Sequence, residues 1–141
     1  MQTTGTTTSG TSAGTLFGQA LLGGAAAAVV NLVLYFGAKA AGVPMTGEFQ
    51  PGTAGELMLP LVVITSIVPA LFAAIIALLF QKFTKAPARN FAILAIGFGL
   101  FSLGGPANVK QIAVSTIVVM ELMHVVAGVG IGGMLVRALK R

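Results

Sequence analysis

A chain of 141 residues that is 56% hydrophobic and 8% charged, with a mean hydropathy of +0.98, lacks the composition of a water-soluble domain, where charged residues run at about 25%. Its length allows a few membrane spans and one domain. The absence of cysteine excludes disulfides and thiolate metal sites, and the net charge of +5 comes from residues that flank apolar segments without interleaved aromatics, which marks topology signals and not a nucleic-acid interface.

The first fifteen residues, MQTTGTTTSGTSAGT, hold no charged side chain and almost nothing to bury, so residues 1–15 are expected to be a disordered Thr/Gly/Ser tail. They also lack the basic residues of a secretory signal. The remainder, residues 16–141, reads as one membrane domain, and the fold class that follows is all-α, a transmembrane four-helix bundle with the lipid bilayer as its solvent.

The first span is expected over residues 16–38. It is rich in Ala and Gly, at Gly18, Gly23, Gly24 and Ala25 to Ala28, and Asn31 is its one strongly polar member. Small residues let helices approach closely, a main source of packing energy in lipid. Ala38-Lys39-Ala40 resembles a signal-peptidase site, but the apolar run before it exceeds the roughly 7–15 residues of a signal core, so an uncleaved span is expected. Residues 39–56 read as the longest loop, with Glu48 and Glu56 as solvated charges or, for Glu56, an N-terminal charge favouring the next helix dipole.

The second span, 57–80, carries Pro60 in its first turn and Pro69 in its interior. Pro69 lacks an N–H and is expected to kink the helix, freeing the Thr65 carbonyl, with Thr65 and Ser66 placed to help satisfy the opened backbone. A short basic loop with Lys82, Lys85 and Arg89 leads to the third span, 87–105, the shortest, which ends at Gly104-Gly105-Pro106. From Pro87 it measures ~28 Å, enough to cross if Arg89 snorkels. The fourth span, 111–136, reads QIAVSTIVVMELMHVVAGVGIGGMLV, followed by Arg137, Lys140 and Arg141.

With four spans, Lys82, Lys85, Arg89, Arg137, Lys140 and Arg141 fall on one side, and Lys39 and Lys110 on the other. The positive-inside rule then predicts a multi-pass protein of the inner (plasma) membrane with both termini cytoplasmic. Topology turns position into depth at ~1.5 Å per residue. Glu121, Thr65 and Ser66 lie ~12–15 Å below the outer surface, Asn31 and Ser102 lie ~22 Å from the inner edge, and His124 sits near the midplane. A candidate polar site of Glu121, His124, Asn31, Thr65 and Ser66, in a pocket opening outward, follows from that shared depth. For Ser102, Ser115 and Thr116 the expected role is only to bond carbonyls one turn back.

Charged side chains inside a span are expensive and usually face protein or water. Glu121 and His124 are three residues apart and share a helix face, which Gly128 and Gly132 extend as a helix-packing stripe. Glu-x-x-His is the half-site of di-metal carboxylate bundles, yet no other Asp, Glu or His lies in a span, so no metal is assigned unless a homo-oligomer joins several copies. A lone membrane histidine can also hold a tetrapyrrole, and a buried Glu–His pair can pass a proton; no cofactor is assigned. The Gly128 to Gly133 run mimics a phosphate loop but follows no strand, and no nucleophile, base and orienter set is present, so no enzyme and no catalytic residue is expected.

Ser102-Leu103-Gly104-Gly105-Pro106 and Met123-His124, with the small residues after them, resemble an uncharacterised family of small bacterial four-span membrane proteins, over about residues 15 to 140. The resemblance implies a membrane bundle of unknown function. Three functional expectations follow: an accessory or scaffolding subunit, alone or in a homo-oligomer or larger membrane complex, with Glu121 and His124 as an interhelical polar clasp; a small proton-linked transporter or channel; or a cofactor-binding subunit of a larger complex.

Overall fold

The computed structural model describes residues 10–141; most of the expected tail, residues 1–9, lies outside them. The described part of the tail is ordered. Ser12 caps the first helix by accepting from the Thr15 amide at 3.2 Å, and Thr11 donates its hydroxyl to the Ala138 carbonyl at 2.7 Å. Cap and tie each give a backbone group of a helix end the partner it would otherwise lack.

Among the described residues, four helices are long and apolar enough to cross a membrane. Helix α1 spans Ala13–Ala40. It stops because Gly42 takes a left-handed φ of +83°, which lets the Val43 and Gly42 amides bond the Ala38 and Lys39 carbonyls, the glycine-terminated pattern that closes many helices. Helix α2, Leu59–Phe83, starts with a proline in its first turn and runs uninterrupted through Pro69. Helix α3, Pro87–Ser102, is followed at once by a single turn, α4, Gly104–Ala107; together they form a 21-residue span. Helix α5 covers Val114–Leu139. The fourth helix thus begins and ends three residues later than its sequence suggests, because Gln111 to Ala113 belong to the connection, where Gln111 itself has a positive φ.

The expected long loop is folded. Strands β1 (Thr46–Gln50) and β2 (Thr53–Glu56) form an antiparallel hairpin around Pro51 and Gly52, with Thr46 opposite Glu56. Gly52 has φ +74°, and its amide is held by the Glu48 carboxylate at 2.7 Å. One edge of the hairpin is fastened by Glu48 N–H to the Lys110 carbonyl, and at its open end the pairing runs one step further, Leu57 N–H to the Met45 carbonyl, each at 2.9 Å.

Helix α1 is central, packing on α2 and α5, while α3 leans on α5 and α2 from outside. Two adjacent glycines allow this. A Cβ at Gly23 would come within 2.7 Å of the Gly130 carbonyl oxygen, and one at Gly24 within 2.9 Å of the Ala70 methyl; one glycine admits α5 and the other admits α2. The expected packing stripe of Gly128 and Gly132 is therefore corrected: Gly128 has no atom within 4 Å of where its Cβ would be, and Gly132 makes only an ordinary contact with Ala95. The close approach belongs to Gly130.

The interior has two apolar clusters. At the end that carries the termini, Leu16, Ala20, Ala70, Ala74, Ala77, Phe91, Ile131, Leu135 and Ala138 are buried together, the alanines recurring at helical spacing on α2 so that neighbours can close on it. At the hairpin end, Tyr35, Met45, Leu57, Val62 and Met123 form the second cluster. The polar layer lies between the two.

Candidate functional site

Asn31, Ser66 and His124 sit seven to ten residues from the hairpin-side ends of α1, α2 and α5, a depth of ~10–15 Å along each helix. The three side chains, with Thr65, line one cavity of about 140 Å³ whose other walls are Phe49, Leu57, Leu61, Val62, Met120, Met123 and Ala127. The hairpin supplies Phe49, so it covers the hairpin-side end of a chamber built by three helices. On the scale of internal cavities this volume holds a few waters or one six-membered ring. It exists because α2 and α5 each pack closely on α1 but touch each other far less.

The hydrogen bonds around the cavity fix the roles of its polar atoms. The Ser66 hydroxyl donates to the Val62 carbonyl at 2.9 Å, and Asn31 Nδ2 donates to Ser66 Oγ at 3.2 Å. Because the one serine proton is committed to a carbonyl, the group facing Ser66 has to be the amide N–H₂. Asn31 Oδ1 is left buried with no partner among the described residues, on a residue only 4% exposed. The Thr65 hydroxyl donates to the Leu61 carbonyl at 2.7 Å. His124 Nδ1 lies 2.8 Å from the Met120 carbonyl; a carbonyl only accepts, so Nδ1 carries the proton and, in the neutral ring, Nε2 carries the lone pair.

These bonds correct two expectations. Thr65 and Ser66 do not answer the Thr65 carbonyl freed by Pro69; both hydroxyls donate one turn toward the start of α2. Nor do Glu121 and His124 bond each other or another helix. His124 is tied to its own helix, and Glu121 is not among the residues that line the cavity. The tie between helices is Asn31 to Ser66.

Glu121 lies three turns from Gly132, on the α5 flank that meets Ala95 of α3. Its Oε2 is buried without a partner among the described residues. So is the Thr116 hydroxyl, on a fully buried residue. Four of the five expected site residues thus converge, and Glu121 stands apart, because a three-residue step turns the helix by about 60° short of a full turn, enough to aim the two side chains at different neighbours.

A second polar group, which the sequence reading does not bring together, lies at the hairpin end. Tyr35 donates its hydroxyl to Glu56 Oε1 at 2.7 Å, Lys39 makes an ion pair with the same oxygen, and the Lys39 ammonium lies 5.7 Å from the centre of the Tyr35 ring. Tyr35 and Lys39 are one turn apart on α1 and clasp the end of β2. Glu56 therefore anchors the hairpin and does not serve as a helix N-terminal charge. A Pro-Gly pair between short runs with Thr, Phe and Glu was the available signal for the hairpin, and the Tyr-x-x-x-Lys spacing for its anchor.

The Lys39 ammonium, and after it the Tyr35 hydroxyl, hold the Glu56 carboxyl below its ordinary value. A carboxylate whose folded-state value is depressed contributes stability that is fully present above about pH 4.3 and is lost as pH falls through the lower folded value. Because the pair is solvent-exposed, the effect is small and screened by salt. The expected outcome is that the protection of the hairpin amides, taken relative to their unfolded-chain exchange rates, falls slightly as pH drops below the ordinary carboxylate range in the native chain, while Glu56→Gln has that lower protection at neutral pH already and shows no such step.

Residues 11–141 match the model of a family of unknown function, DUF6069. No curated protein and no solved structure matches the chain.

Proposed function

The chain belongs to this family of unknown function, and we propose that it is a non-enzymatic accessory or scaffolding subunit of the plasma membrane, with both termini cytoplasmic, on whose α3 a helix of another membrane subunit docks. The observation that carries this reading is how little of α3 the bundle covers: 11% of its span is buried, against 39% for α1, and Phe91 is its one buried residue. Gly97 and Gly99 have no atom within 4 Å of a Cβ position, and open glycines are where a helix can approach in lipid. The orientation is supported by the end that gathers Thr11, Gln81 and Ala138 into one hydrogen-bonded group and carries six of the eight basic residues, Lys82, Lys85, Arg89, Arg137, Lys140 and Arg141.

The chain has no cysteine, so single cysteines at Ile93, Ile96 and Leu100 on α3, and at Val29 and Val33 on the outward face of α1, can be cross-linked in native membranes. Adducts to one other protein from α3 alone are expected. Adducts to a second copy of this chain would replace the partner by a homo-oligomer, and equal, adduct-free labelling of both helices by a lipid-soluble maleimide would remove the reading.

Glu121 favours a second reading, proton-linked transport, since a membrane carboxylate without a partner is the group such a cycle needs. Proton flux in proteoliposomes is the test: a drop of about tenfold on Glu121→Gln supports transport, and unchanged flux leaves the accessory role.

A further inference from the structure

The cavity between α1, α2 and α5 has a one-sided hydrogen-bonding character. Ser66 has spent its proton on Val62, Thr65 on Leu61 and His124 Nδ1 on Met120. What remains is Asn31 Oδ1, buried and partnerless, the lone pair of His124 Nε2 and the free lone pair of Thr65, against one spare amide proton on Asn31. The remaining lining residues, Phe49, Leu57, Leu61, Val62, Met120, Met123 and Ala127, are apolar. A guest has to bring donors to several acceptors and apolar faces to the walls, and it has to fit about 140 Å³. A cavity of nearly this volume in another protein takes up benzene. Thr65, at the rim, is exposed on the outside of α2, so the chamber meets the lipid-facing side of the bundle.

We propose that this cavity is a binding site for a hydroxylated aromatic ring, a phenol or the hydroquinone headgroup of a membrane quinol, held by O–H donation to Asn31 and His124. A ring satisfies the walls, a phenolic proton satisfies an amide oxygen or an imidazole nitrogen, and a buried acceptor left unmet is unfavourable. Oxidation of hydroquinone to quinone replaces both donors by acceptors, so the site discriminates between the two redox forms by binding alone.

The test uses the full chain in lipid nanodiscs. Equilibrium dialysis of a fluorinated phenol, read by fluorine NMR, is compared with fluorobenzene, which has the same ring and no donor; competition then uses soluble hydroquinone, benzoquinone and a prenylated quinol. Expected are saturable phenol binding, fluorobenzene and benzoquinone each weaker by about tenfold or more, and a comparable loss for phenol in His124→Phe and Asn31→Leu. Ala127→Leu, which fills the cavity from α5 without removing any of its polar atoms, guards against a polar variant that fails to fold, and it too should abolish binding. Competition by the prenylated quinol but not by hydroquinone identifies the membrane lipid as the source, and the reverse identifies a free phenol; either supports the site. Equal affinity for phenol and fluorobenzene, or binding that survives Ala127→Leu, overturns it, as does a cavity that takes up only water.

Discussion

Gly23→Ala is expected to destabilise the bundle by about 1–3 kcal/mol, the cost of overpacking a closed contact, and Gly23→Leu to keep α1 and α5 from packing at all. The methyl carbon would sit 2.7 Å from the Gly130 carbonyl oxygen and 3.0 Å from the Ile131 Cα. Both are backbone atoms and cannot swing aside like a flexible side chain, so the whole of α5 has to move. That loss outweighs the roughly 1 kcal/mol by which alanine exceeds glycine as a helix former. Gly128→Ala is the matched control. With no atom within 4 Å of its Cβ position, it keeps the propensity gain and costs nothing in packing, so it should be neutral or slightly stabilising. Titration of both variants with denaturing detergent in mixed micelles, followed by loss of α1–α5 proximity between paired labels, reads the difference. Equal midpoints for the two would mean that the α1–α5 approach is looser than described.

Met45→Ala should release the hairpin, at a cost of about 2–5 kcal/mol for truncating a fully buried methionine. Met45 is wholly buried beneath the hairpin, packed with Tyr35, Leu57, Val62 and Met123, and its carbonyl receives the Leu57 amide. It also has φ +49°, a left-handed conformation that costs a side-chain-bearing residue about 1–2 kcal/mol. Met45→Gly loses the same packing but sheds that strain, so glycine should be the milder substitution by up to about that amount. Hydrogen exchange at the Glu48 amide measures the docking, and at the Leu57 amide the closure of the hairpin's open end. Both should lose protection together, Ala more than Gly. Retained protection in Met45→Ala would show that the edge hydrogen bonds hold the hairpin without the buried side chain.

The hairpin also explains how the site differs from the one expected. Depth along the helices is a sum of equal rises, and the polar residues fall at like depth for that reason; Asn31, Thr65, Ser66 and His124 do share a chamber. Direction around each helix depends on which neighbour packs where, and that is where Glu121 and Gly128 departed. The Glu-x-x-His spacing suggested one shared face, but the boundary between the α2-facing and α3-facing sides of α5 runs between those two residues. The glycine run from 128 to 133 offers several registers of close approach, and the partner glycine at position 23 selects Gly130. Residues 46–56 were harder to read because a two-stranded hairpin has little stability alone; its fold rests on Met45, the Tyr35–Lys39–Glu56 clasp and the Lys110 carbonyl.

The sequence by itself determined the apolar character, the number of membrane-length helices and the position of each polar group along its helix, since these depend on composition and on a fixed rise per residue. It also placed the basic residues at one end. Only the tertiary structure decided which glycine meets which helix, that Asn31 pairs with Ser66 while its oxygen stays free, and that Glu121 turns away from His124. Those outcomes depend on the rotation of each helix about its axis, and rotation is set by side chains interlocking across helices, contacts that no single helix encodes.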